Sequence, residues 1–296
     1  MTFVRATACA KINWALEVLH RRPDGYHEIR TVLQTIDLCD TLELHPATDL
    51  CLETRGEGLP PAEENLVMRA ARLLQERADG SPGARVRLSK SIPVAAGLGG
   101  GSSDAAAALR GLNELWGLGL PRDELAKIGA QLGSDVPFFL HGGAALAGGR
   151  GERITPLPDV GSRQLVIVVP PFTLPHKTQR MYSLLAPADY TDGSATERVA
   201  DAIRQGKPVE DERLFNVFDE PAFRGFPELQ RLRGVLLAGD AASVHLAGSG
   251  PALFVLADDV TVRERLARSA AEAGARAFAV TTAPEAATMS LEVAAR

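Results

Sequence analysis

The sequence predicts an α+β protein of two domains, and three observations carry that expectation. Strand-like and helix-like stretches mix in both halves of the chain, without the regular alternation that builds a doubly wound parallel sheet. At 296 residues the chain is longer than one ordinary hydrophobic core usually serves. Pro170, Pro171 and Pro175 follow a short β-branched run and punctuate the middle of the chain. The expected division gives one domain over residues 1–158 and a second over 159–296.

From the N-terminus, Phe3 to Cys9 reads as a strand, and Lys11 to Val18 as another in which Ile12, Trp14, Leu16 and Val18 alternate. Pro23-Asp24-Gly25 supplies turn chemistry for a loop over 20–27. Strands are expected at Ile29 to Ile36, Thr41 to His45 and Val86 to Ser91, with a helix over Glu64 to Arg77 carrying Leu66, Ala70, Leu73 and Leu74 at helical spacing. The alanine-dense run from Ala105 to Leu115 is a strong helix former, and Pro121 to Leu132 reads as the next helix. Gly142 to Gly151 reads as a small-residue strand and turn, and Val166 to Val169 as a buried strand. In the second half, helices near Glu197 to Arg204, Glu228 to Leu236 and Val262 to Ala273 mix with strands at Ser243 to Ala247, Ala252 to Ala257 and Ala277 to Thr281.

Composition narrows the function classes. With 45% hydrophobic and 23% charged residues the chain is globular in type. A net charge of −5 argues against a protein that coats nucleic acid, which needs a basic footprint, but leaves room for one compact basic pocket. No apolar run approaches the roughly 20 residues that span a bilayer, and no secretion signal is read at the start of the sequence. Cys9, Cys39 and Cys51 fit neither a disulfide framework nor a zinc site, so reduced thiols in a cytoplasmic protein are expected. The six histidines show no metal-ligand spacing, and no metal site built from protein ligands is expected.

The strongest local signal is Pro93-Val94-Ala95-Ala96-Gly97-Leu98-Gly99-Gly100-Gly101-Ser102-Ser103, between a strand and a helix. Glycines let backbone N–H groups turn towards an anion, and a helix start adds unpartnered N–H groups and the positive end of its dipole. Ser102 and Ser103 are candidates to cap that helix or touch phosphate. A dinucleotide fingerprint would need glycine where Ser102 stands, and a Walker loop would need a lysine that is absent here. The alternative is a tight strand–helix turn without a ligand.

Asp135, in Gly133-Ser134-Asp135-Val136-Pro137, is placed to accept a hydroxyl proton, or else simply to stabilise its turn. Lys11 and Asn13 share one strand face opposite Ile12 and Trp14. A lysine there would neutralise a transferring phosphoryl group, or else sit in water at a sheet edge. Tyr26 and His27 offer a ring and an imidazole that could stack on and hydrogen-bond a base. Ala247-Gly248-Ser249-Gly250-Pro251 is a second glycine turn, either a plain turn or another amide wall around an anion.

These segments, taken in this order, resemble the GHMP kinase superfamily from about residue 5 to about residue 257. Arg-Pro-Asp-Gly-Tyr-His27 together with Asp135-Val-Pro-Phe-Phe139 resembles, within it, the members that phosphorylate a cytidine diphosphate-linked methylerythritol. The resemblance implies two α+β domains with the active site in the cleft between them. It implies ATP with Mg²⁺ on Pro93 to Ser103, Asp135 as base on the substrate's 2-hydroxyl, and Lys11 beside it. Tyr26 and His27 would hold the cytosine and Asn13 the methylerythritol portion of this small-molecule substrate. The sequence departs from the pattern where many relatives have Ser-Thr-x-x-x-Tyr; here Lys177-Thr178-Gln-Arg-Met-Tyr182 follows His176, and Thr178 and Tyr182 are the candidates for the second aromatic wall around the cytosine. A homoserine or mevalonate kinase and a non-catalytic nucleotide-binding module remain open as alternatives. The sequence does not speak to oligomeric state.

Overall fold

The computed structural model describes residues 2–172 and 177–295; Pro175 and His176 of the sequence reading lie outside these. In chain order it runs β1 (Thr2–Arg21), β2 (His27–Ala47), β3 (Leu50–Arg55), α1 (Leu66–Gln75), β4 (Gly83–Ser89), α2 (Gly100–Leu115), α3 (Arg122–Leu132), α4 (Val136–Phe139), β5 (Ala144–Gly149) and β6 (Arg153–Leu157). Next come β7 (Gln164–Val169), α5 (Lys177–Ser183), α6 (Ser194–Arg204), β8 (Phe215–Asn216), α7 (Asp219–Gly225), α8 (Pro227–Ala238) and β9 (His245–Leu246). The chain continues through β10 (Leu253–Leu256), α9 (Val260–Glu272), β11 (Arg276–Thr281), α10 (Glu285–Thr288) and β12 (Leu291–Ala295).

Two sheets organise these elements. The larger has the order β12-β1-β2-β4-β3, with β5 paired to β2 and β6 and with β8 against β1; the smaller is β11-β7-β10-β9. The two strands expected over 3–18 are one, β1, and the two expected over 29–45 are one, β2. They read as separate because register shifts interrupt the β1–β2 pairing between Cys9 and Lys11, Asn13 and Ala15, and Val18 and His20. Each bulge places an extra residue on one strand and re-aims the side chains that follow, so no single alternation runs the length of the strand.

β1 is buried almost throughout because it crosses three apolar clusters. Val4, Ala6 and Ala8 pack with α1 to α4, Ile12 and Trp14 with residues of the second sheet, and Leu16 and Val18 with Phe218 and Phe223. Ala105 to Ala108 of α2 are completely buried, the small side chains letting the helix lie close on the sheet. This fixes the helix whose N-terminus ends the glycine loop.

The cysteine expectation needs correction. Cys9 and Cys39 face each other across β1 and β2 and form a disulfide, while Cys51 is exposed and free. An odd count and wide spacing could not reveal this, because the pairing is set by the register of a long hairpin.

Candidate active site

The glycine loop is held from both sides by backbone. The Lys11 N–H donates to Leu98 O at 2.9 Å, and the Ala252 N–H donates to Ala96 O at 3.0 Å. The loop ends at Gly99, which rather than either serine occupies the N-cap of α2, at φ 74°. A side chain there would meet the Phe139 ring at 2.6 Å, so glycine is required by backbone and by space alike. The first satisfied amide of α2 is that of Ser103, which bonds Gly99 O at 2.9 Å. The amides of Gly100, Gly101 and Ser102 precede it and have no acceptor within the helix.

Pro93 to Ser102 line a cavity of about 1220 Å³. Ser103 is not brought there: it is buried, and its hydroxyl donates to Cys9 O at 2.8 Å. Its role is to tie the helix to β1.

Lys11 and Asp135, far apart in sequence, line the same cavity. Lys11 is 4% exposed, and its ammonium donates to Asn13 Oδ1 at 2.9 Å. Asn13 Nδ2 donates in turn to Thr31 Oγ1 at 2.8 Å, which fixes the amide's orientation. Burial holds the Lys11 amine below the usual lysine range, and the Asp135 charge opposes that shift. Asp135 stands at the head of α4 but makes no side-chain capping bond, so its carboxylate is not consumed by the turn. Gly248 of the second glycine turn also lies against Lys11: at φ 60°, a Cβ there would be 2.8 Å from Nζ. Asn216 holds that turn by donating to Leu246 O at 3.0 Å and Gly248 O at 2.8 Å.

Part of the cavity wall is aromatic. His27 stacks on Tyr182 with centroids 4.6 Å apart and planes 22° apart, and Tyr190 meets the imidazole edge-on at 6.0 Å. Burial and the Arg21 charge lower the His27 pKa, favouring neutral imidazole. Tyr182 is pushed up to about 12, first by burial and then by Asp135, so its phenol stays protonated and lies within the field of that carboxylate. Tyr26 lies at the mouth, 55% exposed, with the Arg150 guanidinium 4.7 Å from its ring centroid.

The family model for the GHMP kinases N terminal domain matches residues 65–143. A 4-diphosphocytidyl-2-C-methyl-D-erythritol kinase of Dehalococcoides mccartyi is 42% identical over 93% of this chain and 96% of its own. The chain belongs to the 4-diphosphocytidyl-2-C-methyl-D-erythritol kinase family. A crystal structure of 4-(cytidine 5'-diphospho)-2C-methyl-D-erythritol kinase superposes with a TM-score of 0.80 at 38% identity, over 94% of this chain and 98% of that one. A homoserine kinase from Cytophaga hutchinsonii, 16% identical with a TM-score of 0.72 over 99% and 97% of the two chains, shares the fold. The GHMP kinase fold and the enzyme class expected from the sequence therefore stand, and so does a small molecule as the substrate. Among the described residues, no helix is long and apolar enough to cross a membrane.

The kinase site also contains groups that sequence reasoning missed. Lys90 forms ion pairs with Asp40 and, at 2.7 Å, with Asp104, all three nearly inaccessible. Asp40 also accepts from the Ile92 N–H at 2.8 Å, so the strand edge, the loop entry and α2 are locked together. Burial pushes the Asp104 carboxyl up against the pull of Lys90. The sequence signal was present, since Lys90 and Asp104 bracket the glycine loop, but nothing in spacing showed that they meet. Tyr190, Arg150 and Lys177 line the cavity as well and were not singled out for it. Thr178 also lines it.

Proposed function

We propose that the kinase transfers the terminal phosphoryl group of ATP to the 2-hydroxyl of 4-diphosphocytidyl-2-C-methyl-D-erythritol, on the non-mevalonate route to isopentenyl diphosphate. One observation carries this reading. A single cavity joins an amide cradle at Pro93 to Ser102, the pair Lys11 and Asp135, and the aromatic end at Tyr26, His27 and Tyr182. Triphosphate, alcohol and cytosine each have chemistry to meet there.

In the transfer, the 2-hydroxyl oxygen bonds the γ-phosphorus as the bond from that phosphorus to the β–γ bridging oxygen breaks. The hydroxyl proton passes to Asp135, and ADP leaves with the electron pair. Lys11, steered by Asn13, opposes the charge on the moving oxygens. Asn13 also faces the methylerythritol portion. His27 and Tyr182 supply the base wall, with Tyr26 at the mouth. Holding both reactants in line is the larger part of the work, because phosphoryl transfer asks for little covalent help from protein.

Among the described residues, no group of three or more His, Cys, Asp or Glu side chains is placed to hold a metal. Mg²⁺ accompanying ATP would therefore be carried mainly by phosphate oxygens and water, with the Ser102 hydroxyl as the protein oxygen beside the free amides. When bound, it neutralises phosphate charge. The division into domains 1–158 and 159–296 falls between β6 and β7, the last of these strands in one sheet and the first of the other, although β8 and β12 return to the first sheet. Use of ATP supports a cytoplasmic location.

The test is coupled ADP release with the cytidylylated substrate and, in parallel, homoserine. Turnover with the first alone is expected. Turnover with homoserine alone, or with neither, would overturn the reading.

A further inference from the structure

Lys177 opens α5 and lines the same cavity as Lys11 and Asp135. Its electrostatic partners are Lys11, on β1, and Asp135, at the head of α4. Two amines and one carboxylate thus face each other across the space where the alcohol and the terminal phosphate would meet. Among the described residues Lys177 forms no ion pair with a carboxylate, so its charge is not already neutralised by the protein.

We propose that the Lys177 amine is a second catalytic cation of the transfer point, pairing with the oxygens of the phosphoryl group as it moves from ATP to the acceptor. The inference rests on the assignment of Lys11 and Asp135 given above. A cluster of two amines is unfavourable while the site holds only protein, and it becomes favourable when a polyphosphate brings its negative charge. The amine of Lys177 shows that tension, its pKa lowered to about 8 first by burial and then by Lys11, with Asp135 opposing. The other charged or titratable groups lining the cavity include Arg21, His27, Lys90, Asp104, Arg150 and Tyr182. Near pH 8.5 the free enzyme therefore holds Lys177 largely without its proton, and phosphate entry restores it.

The experiment has two readouts. In steady-state turnover at pH 7, Lys177→Met should lower kcat by about 10²-fold, the scale of losing one charge-stabilising donor, with acceptor KM changed less than about threefold. Lys177→Arg should recover most of that loss. In calorimetric titration of ATP at pH 8.5, in buffers of different ionisation heat, the wild-type chain should take up a fraction of a proton that both variants lack. A Lys177→Met chain that keeps its kcat within about threefold overturns the proposal. So does one that raises only the acceptor KM, which would make Lys177 a clamp on the substrate's diphosphate, and so does proton uptake persisting in Lys177→Met, which would belong to Lys11. Asp135→Asn run alongside separates the two levels: if it keeps its rate, the site assignment has failed rather than the role of Lys177 alone.

Discussion

Gly248 presses on the Lys11 ammonium so closely that a single added carbon would stand 2.8 Å from Nζ. The second glycine turn thus stands against the Lys11 amine, and Asn216 keeps it there through two carbonyls. Gly248→Ala should displace the amine and strain a backbone at φ 60°. We expect kcat to fall at least tenfold, with a stability loss of about 1 kcal/mol. Turnover together with a thermal midpoint checks both, and a fully active variant would mean that Lys11 has room to move.

Asp135→Asn keeps the size of the side chain and removes its basicity. Its carboxylate makes no capping bond, so the fold should tolerate the change. Turnover should fall by about 10³-fold while ATP binds with unchanged affinity. Single-turnover ADP release and an ATP titration measure the two quantities separately.

Much of this site was legible because it lies in short, self-contained segments. Period-two alternation put Lys11 and Asn13 on one face, and their hydrogen bond shows that they share it. The glycine loop declared a helix start, although not that Gly99 would cap it or that Ser103 would turn inward to Cys9. What stayed hidden depends on contacts between distant segments. The Cys9–Cys39 bond follows from hairpin register, and the long β1 was masked by its own bulges. β3 escaped notice because it is a largely exposed edge strand with little hydrophobic pattern to read. Lys177 and Tyr190 line the cavity from segments far from the glycine loop in sequence, whereas Tyr182 was already a candidate for its second wall. Local pattern carries no information about such meetings.

The stacked pair His27 and Tyr182 predicts a selective binding defect. Replacing Tyr182 with leucine keeps an apolar filler against Phe218, whose ring centroid lies 5.0 Å from that of Tyr182, but removes the flat surface under the imidazole. Base stacking is worth about 1–3 kcal/mol, so KM for the cytidylylated substrate should rise by roughly tenfold or more. KM for ATP should stay within about twofold. His27→Ala should act in the same direction by removing the imidazole and its polar contact. An unchanged acceptor KM in both variants would remove the cytosine from this end of the cavity.

Lys90→Met tests the electrostatic frame of the loop. It leaves Asp40 and Asp104 buried without their cation, a change that costs about 3–5 kcal/mol when one partner of a buried pair is lost. The sign of its pH dependence follows from Asp104. Asp104 is already raised to about 8 by burial, against Lys90, and losing the cation pushes it higher. A carboxyl raised on folding binds its proton more tightly in the native state than in the unfolded chain, so its contribution is complete below the unfolded pKa of about 3.9 and is lost as pH rises through the folded value. Asp104 of the variant should therefore take up its proton at a higher pH than Asp104 of the parent, so the gap between the two chains should be widest well above pH 8, narrow on acidification to about pH 7, and stay level below that. Urea unfolding midpoints at pH 7, 8 and 9.5 measure this, and a gap that stays constant or widens between pH 9.5 and pH 7 would show that Asp104 does not carry the pH-dependent penalty.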